Sequence, residues 1–154
     1  FLYFWGPVMM FNYLKSILTV LIIQSLIGCA LLTSTEEYDL YKNMGGQQGI
    51  ETIVDTFIKK IPSDADILPY FAKSSVSHFR KGFITHLCDS IGGPCDYKGD
   101  SMIDIHTGMN INERDFNRVV ELLISAMEES GISYQDQNRV LKILAPSRAD
   151  IINR

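Results

Sequence analysis

Strand-forming sequence is almost missing from this chain. No run of alternating valine, isoleucine and threonine is long enough to build a sheet, so the expected class is all-α. Cysteine is scarce too. Only Cys29, Cys88 and Cys95 occur in 154 residues, without the Cys/His set that a zinc site needs. There is no G-x-S-x-G turn, no phosphate-cradling glycine loop and no Glu-x-x-His pair, which leaves hydrolase, nucleotide-binding and di-iron chemistry without their usual residues. Basic residues number 14 against 18 acidic ones, a net charge of −4 that gives no nucleic-acid footprint. Internal repeats and low-complexity blocks are also absent.

What is present suits one globular domain with a real core, since 46% of residues are hydrophobic and 21% charged. The N-terminus stands apart from that domain. Lys15 is followed by the apolar run SILTVLIIQSLI, residues 16–27, which is short for spanning a bilayer and suits a signal-peptide core. Leu26-Ile27-Gly28-Cys29 resembles a bacterial lipobox. On that resemblance residues 1–28 are removed, Cys29 is lipidated, residues 29–36 form a tether and residues 37–154 form the domain. The competing readings are an uncleaved anchor or a buried helix with an incidental cysteine. Met9 and Met10 are candidate start residues, which would make residues 1–8 upstream reading frame. Ala30 after the cysteine favours the outer membrane by resemblance to lipoprotein sorting rules, with the protein on the periplasmic side of a bacterial envelope. In an exported protein Cys88 and Cys95 are either a disulfide or two unrelated thiols, because spacing alone does not show the geometry a bridge requires.

Helical segments are expected over 37–44, 47–61, 64–72, 76–91, 112–130 and 135–153. Gly45-Gly46, Pro62, Gly92-Gly93-Pro94 and Gly131 punctuate them, and Asn112 with Asp115 reads as a helix start. Phe116, Val119, Val120, Leu123, Ile124 and Met127 recur at helical spacing as a core-facing stripe. Residues 92–111 form a long connection with little helical pattern, and a loop of that length in a small all-α domain usually carries function.

Three histidines remain. His78 and His86 fall on the fourth segment and His106 in the connection after it, which leaves a place between helix and loop for something flat and apolar. That suits a haem held through one axial histidine. Taken alone, a lone histidine in DIHTGMNI reads as an ordinary hydrogen-bonded or exposed residue.

At this point the chain resembles the group I truncated haemoglobins, two-over-two globins, over about residues 38–152. The resemblance rests on Leu40-Tyr41, Met44-Gly45-Gly46 and Gly49-Ile50, then Tyr70-Phe71 and Gly92-Gly93-Pro94, then Tyr97, Gly99, Met102, His106, Ile111 and Phe116 in order. It implies a haem b cofactor, with Phe71 stacking against it and His106 as the proximal iron ligand. Tyr97, Met102, Ile111 and Phe116 would complete the cofactor pocket. Phe79, Phe83, His86 and Leu87 match the distal helix. Their i, i+4, i+7, i+8 spacing puts them on one face, which by spacing alone is ordinary core. Arg80 and Lys81 either pair with the haem carboxylates or form a solvated basic patch.

The chain departs from the family on the distal side. Ile58 stands where the family has a tyrosine and Phe83 where it has a glutamine, so both usual donors to a bound gas are missing. His86 is the remaining candidate donor. The implied function is reversible binding of oxygen, carbon monoxide or nitric oxide. The alternative is a haem enzyme with nitric oxide dioxygenase or peroxidase-like activity, served by a reductase. A third reading, a haem-free binding module, is opposed by the intact Phe71 and His106.

Overall fold

Left-handed backbone at Gly45 (φ +85°) and Gly46 (φ +61°) turns the chain between the first two helices of the described residues, a conformation that glycine adopts without steric cost. The computed structural model describes residues 39–154. The expected signal sequence, lipobox, Cys29 and tether, with residues 37–38 of the first segment, lie outside the described residues. We number the α-helices α1 (Leu40–Asn43), α2 (Gly46–Lys60), α3 (Leu68–Phe71), α4 (Val76–Ser90), α5 (Met102–His106), α6 (Glu113–Glu129), α7 (Tyr134–Leu144) and α8 (Arg148–Ile151). Among the described residues there is no strand, and no helix is long and apolar enough to cross a membrane.

Each long helix starts on a side chain or turn that satisfies its free N–H groups. Ser75, Asn112 and Ser133 cap α4, α6 and α7, accepting from His78, Asp115 and Asp136 backbone N–H. Glu113 and Asp115 place negative charge in the first turn of α6, where the helix dipole favours it.

Apolar periodicity then dictates the packing. Ile50, Ile53, Val54 and Phe57 make one buried stripe on α2, which lies against α4 and α6. Ile84, Leu87 and Cys88 are its counterpart on α4, and Leu122, Leu123, Ala126 and Met127 on α6. Val140 of α7 joins the same core. The result is two helices, α2 and α4, over two others, α6 and α7. Gly49 allows the tight start of α2, because a side chain there would collide with the Met44 carbonyl.

Three expected segments differ in detail. Segment 64–72 is helical only as the single turn α3. Asp64 instead accepts the backbone N–H groups of Asp66 and Ile67, a local turn that competes with helix. Segment 135–153 breaks at Pro146, which sits in a 3-10 turn (Ala145–Ser147) before α8. The long connection 92–111, expected to hold little helix, contains the short helix α5. α5 is capped by Ser101, whose hydroxyl accepts Asp104 N–H at 3.1 Å and donates to its carboxylate at 2.6 Å.

The end of the chain fastens the segment after α5. Asn110 N–H donates to the Arg154 carbonyl at 2.9 Å, and Asn153 N–H to that of Ile111 at 2.9 Å, while α8 packs on α5.

Candidate functional site

A cavity of about 700 Å³ opens between α4, α5 and α6. That volume lies in the range of sites that enclose a small organic ligand or cofactor. Phe57, Phe71, Phe79 and Phe83 form an aromatic cluster along one wall. Their centroids stand 5.5 Å apart for Phe57–Phe83, 5.0 Å for Phe71–Phe79 and 5.7 Å for Phe79–Phe83. Phe116, Val119 and Leu123 of α6 supply more apolar wall. A smaller lobe of about 190 Å³ adjoins it, sharing Phe71, Phe116 and His106.

His106 ends α5 and lines both lobes. Its Nδ1 lies 2.7 Å from the Met102 carbonyl oxygen, one helical turn back. A carbonyl only accepts, so Nδ1 carries a proton, and in the neutral ring Nε2 is then the nitrogen with the lone pair. This is the arrangement that orients metal-bound imidazoles, with the second ring nitrogen donating to a backbone carbonyl.

His86 is the only imidazole on the aromatic-lined part of α4. It is half-buried, and desolvation pushes its pKa below the ordinary value of 6.5, with Asp89 opposing weakly. Its ring meets that of Tyr97 edge to face at 5.1 Å. Tyr97 also lines the cavity, with its hydroxyl donating to the Asp100 carbonyl at 3.0 Å and its pKa raised by burial. A disulfide joins Cys88 to Cys95 with 5.8 Å between Cα atoms, deciding between the two alternatives left by spacing. It ties the segment that carries Tyr97 to the end of α4.

The exposed end of the cavity is polar. His78, Lys81 and Lys98 line it, together with Asp96 and Asp100. Gly82 of α4 also borders the space, and a Cβ there would meet nothing within 4 Å.

The expected site residues divide accordingly. Phe71, Phe79, Phe83, His86, Tyr97, Met102, His106 and Phe116 border the main cavity together. Ile111 borders the smaller lobe instead. Leu87 is fully buried in the core behind the wall. Ile58 is half-buried against the core, and its neighbour Phe57 takes the place on the wall. Arg80 is also off the wall. Its guanidinium grips Asp55 through Nε at 2.6 Å and Nη2 at 2.9 Å, with Glu51 at 3.6 Å. These bonds raise the pKa of Arg80 and lower that of Asp55.

Sequence reasoning missed Phe57, Leu144, Ser147 and Ile151 as lining residues. Phe57 continues the α2 stripe at i+4 and i+3 from Ile53 and Val54, so periodicity marks it as core; it is core and wall at once. Leu144 ends α7, and Ser147 and Ile151 lie past the Pro146 break, where no local pattern points to a cavity.

The donor set suits a flat iron-bearing macrocycle. It offers one imidazole with a free Nε2, aromatic and aliphatic walls, and cations at the exposed end for carboxylates.

Residues 39–153 match the bacterial-like globin family. The chain is 31% identical over 115 residues to a group 1 truncated haemoglobin of Nostoc sp., covering 75% of this chain and 98% of that protein. It is 30% identical over 115 residues to a group 1 truncated haemoglobin of Tetrahymena thermophila, covering 75% and 95%. The crystal structure of truncated haemoglobin from Tetrahymena pyriformis in its Fe(III) form superposes with a TM-score of 0.72 at 28% identity, covering 75% of this chain and 98% of that one.

Proposed function

Because the chain belongs to the bacterial-like globin family and is a truncated globin, we propose that it binds haem in the α4–α5–α6 cavity and reversibly binds a diatomic gas there. The observation that carries this reading is the His106 Nδ1 to Met102 carbonyl bond, which in the neutral ring leaves the Nε2 lone pair available to an iron atom. When bound, haem would supply an iron atom able to take up a diatomic gas. The protein's own residues do the rest. Phe71, Phe116 and Val119 would exclude water from the cofactor, and Lys81 and Lys98, which line the exposed end of the cavity, would be available to its carboxylates. No C-x-x-C-H run exists for covalent attachment, which supports haem b.

The aromatic wall supplied by α2 and α4 would set the ligand preference. Phe57, Phe79 and Phe83 offer a gas no hydrogen-bond donor; of the polar side chains next to them on α4, Thr85 donates its hydroxyl to the Lys81 carbonyl, which leaves His86 as the candidate donor. Oxygen, which polarises strongly, loses more from a missing donor than carbon monoxide does. By ordinary hydrogen-bond magnitudes the loss is about 1–3 kcal/mol, or ~5- to 150-fold in affinity. The pocket therefore favours carbon monoxide and nitric oxide over oxygen relative to a donor-bearing truncated globin.

The purified chain, reconstituted with haem, tests this by absorption spectroscopy in ferric, ferrous and CO-bound forms. A Soret band that shifts on CO addition is expected, and His106→Ala should lose the axial-ligation features until free imidazole is added. Absence of a Soret band, or an unchanged spectrum in His106→Ala, would reject the proposal.

We also propose anchoring through Cys29 at the periplasmic side of a bacterial envelope, supported by the Lys15, apolar-run, Gly28-Cys29 pattern. Metabolic labelling with a fatty acid should mark the chain and fail to mark Cys29→Ala. Equal labelling of both would end that idea.

A further inference from the structure

Phe71 and Phe116 line both lobes of the cavity, one from α3 and one from α6. The residue immediately before each is polar, and these two residues are bonded to each other. Tyr70 Oη donates to Asp115 Oδ2 at 2.7 Å. The pair borders the smaller lobe.

The two partners are held very differently. Asp115 is 5% exposed and rigidly placed in the first turn of α6. Its backbone N–H donates to Asn112 Oδ1 at 2.9 Å, and its carboxylate accepts from Asn112 Nδ2 at 2.8 Å and Arg114 Nε at 3.1 Å. Those bonds and the helix dipole keep it ionised; its pKa is lowered, most of all by the Tyr70 hydroxyl. Tyr70 sits on a single helical turn, which has little stability of its own. Among the described residues, Tyr70–Asp115 is the only hydrogen bond linking α3 to another helix. Upstream, Arg118 Nε donates to Asp64, so the 64–71 segment is stapled to α6 at two points one helical turn apart.

We propose that Tyr70 and Asp115 are positioning residues that latch Phe71 to Phe116 and so set the width of the cleft that grips the cofactor. This rests on the haem reading above. A hydrogen bond from a hydroxyl to a buried carboxylate is among the stronger neutral-to-charged kinds, and its loss leaves α3 held mainly by apolar contact. The cleft between the two rings then widens and closes in fluctuations that the latch otherwise suppresses.

The test compares the rate at which the ferric, haem-loaded full chain surrenders its cofactor to an excess of apo-globin scavenger. Tyr70→Phe keeps the ring and removes only the hydroxyl, so it should lose haem roughly tenfold faster. Val140→Ala, a fully buried core position away from the cavity, is the control for destabilisation without a change at the cleft. Asp115→Ala should also speed haem loss, and Tyr70→Phe added to it should have little further effect. Urea midpoints are measured for every variant. Haem loss in Tyr70→Phe no faster than in the unchanged chain, or no faster than in a Val140→Ala chain of equal or lower midpoint, would overturn the latch and leave the haem reading intact. Fully additive effects of Tyr70→Phe and Asp115→Ala would overturn it as well. Failure of the unsubstituted chain to take up haem would instead sink the haem reading and the latch together.

Discussion

The rings of His86 and Tyr97 meet edge to face at 5.1 Å, and each residue stands two positions from one half of the Cys88–Cys95 disulfide. Two independent constraints, one covalent and one aromatic, thus bind α4 to the segment that closes the cavity. Gly93 makes the approach possible, because a Cβ there would stand 2.7 Å from Cys88 Sγ and crowd the Tyr41 ring.

The disulfide should therefore contribute measurably to stability. Closing so short a loop restricts the unfolded chain by about 2–3 kcal/mol in the chain-entropy treatment. The urea midpoint of the oxidised chain should fall when a dithiol reductant is added, and Cys95→Ala should show the lower midpoint under both conditions. Identical midpoints with and without the reductant would show that the bridge adds nothing. His86 should also respond, since Tyr97 is no longer pinned beside it.

His86 makes a pH-dependent prediction whose sign follows from burial. Its pKa is lowered on folding, so between about 6.5 and the lower folded value the unfolded chain holds a proton that the native chain lacks. Stability is then lost as pH falls through that window. His86→Phe should flatten the decline of the urea midpoint between neutral and mildly acidic pH; a decline as steep as in the unchanged chain would contradict the buried placement. The same lowered pKa keeps the ring neutral at pH 7, with a lone pair to offer. A six-coordinate ferrous spectrum that becomes five-coordinate in His86→Phe would identify it as an internal ligand.

Much of this site is legible in the residues alone, because its α4 wall follows helix periodicity. Phe79, Phe83 and His86 share one face by spacing, and the structure puts all three on the cavity. What escapes is what depends on distant partners. Arg80 looks equally fit for a cofactor carboxylate or for solvent until Asp55, 25 residues earlier, is brought beside it. Tyr70 and Asp115 are 45 residues apart, and nothing local in either marks a bond. The choice of Phe57 over Ile58 for the wall depends on how α2 is rotated against α4 and α6, which a motif register does not carry. Helix α5 is a different case. Ser101 and Asp104 form a capping signature that was readable, and it was masked by the glycines on both sides.

The separate fates of the neighbours Arg80 and Lys81 give a paired prediction. Lys81 borders the exposed end of the cavity, whereas Arg80 is engaged by Asp55 and Glu51 on another face of α4. Lys81→Ala should speed loss of haem from the ferric chain by a few-fold, the size of a partly exposed ion pair. Arg80→Ala should leave that rate unchanged. Equal acceleration by both would mean that the Asp55 pair opens when the cofactor enters.

The aromatic wall of the cavity supplies the sharpest functional test, because one substitution reverses its chemistry. Phe83 lies on α4 with its ring 5.5 Å from that of Phe57, and neither offers a hydrogen to a bound gas. Phe83→Gln introduces an N–H₂ donor at the same wall position while keeping helix propensity high. By the 1–3 kcal/mol of a donor–ligand hydrogen bond, oxygen release measured by rapid mixing should slow by ~5- to 150-fold. Carbon monoxide release should change much less, since that ligand is weakly polarised. Equal slowing of both gases would indicate a steric effect of the smaller side chain. No change for either would mean that His86 already supplies the hydrogen bond that the three phenylalanines do not.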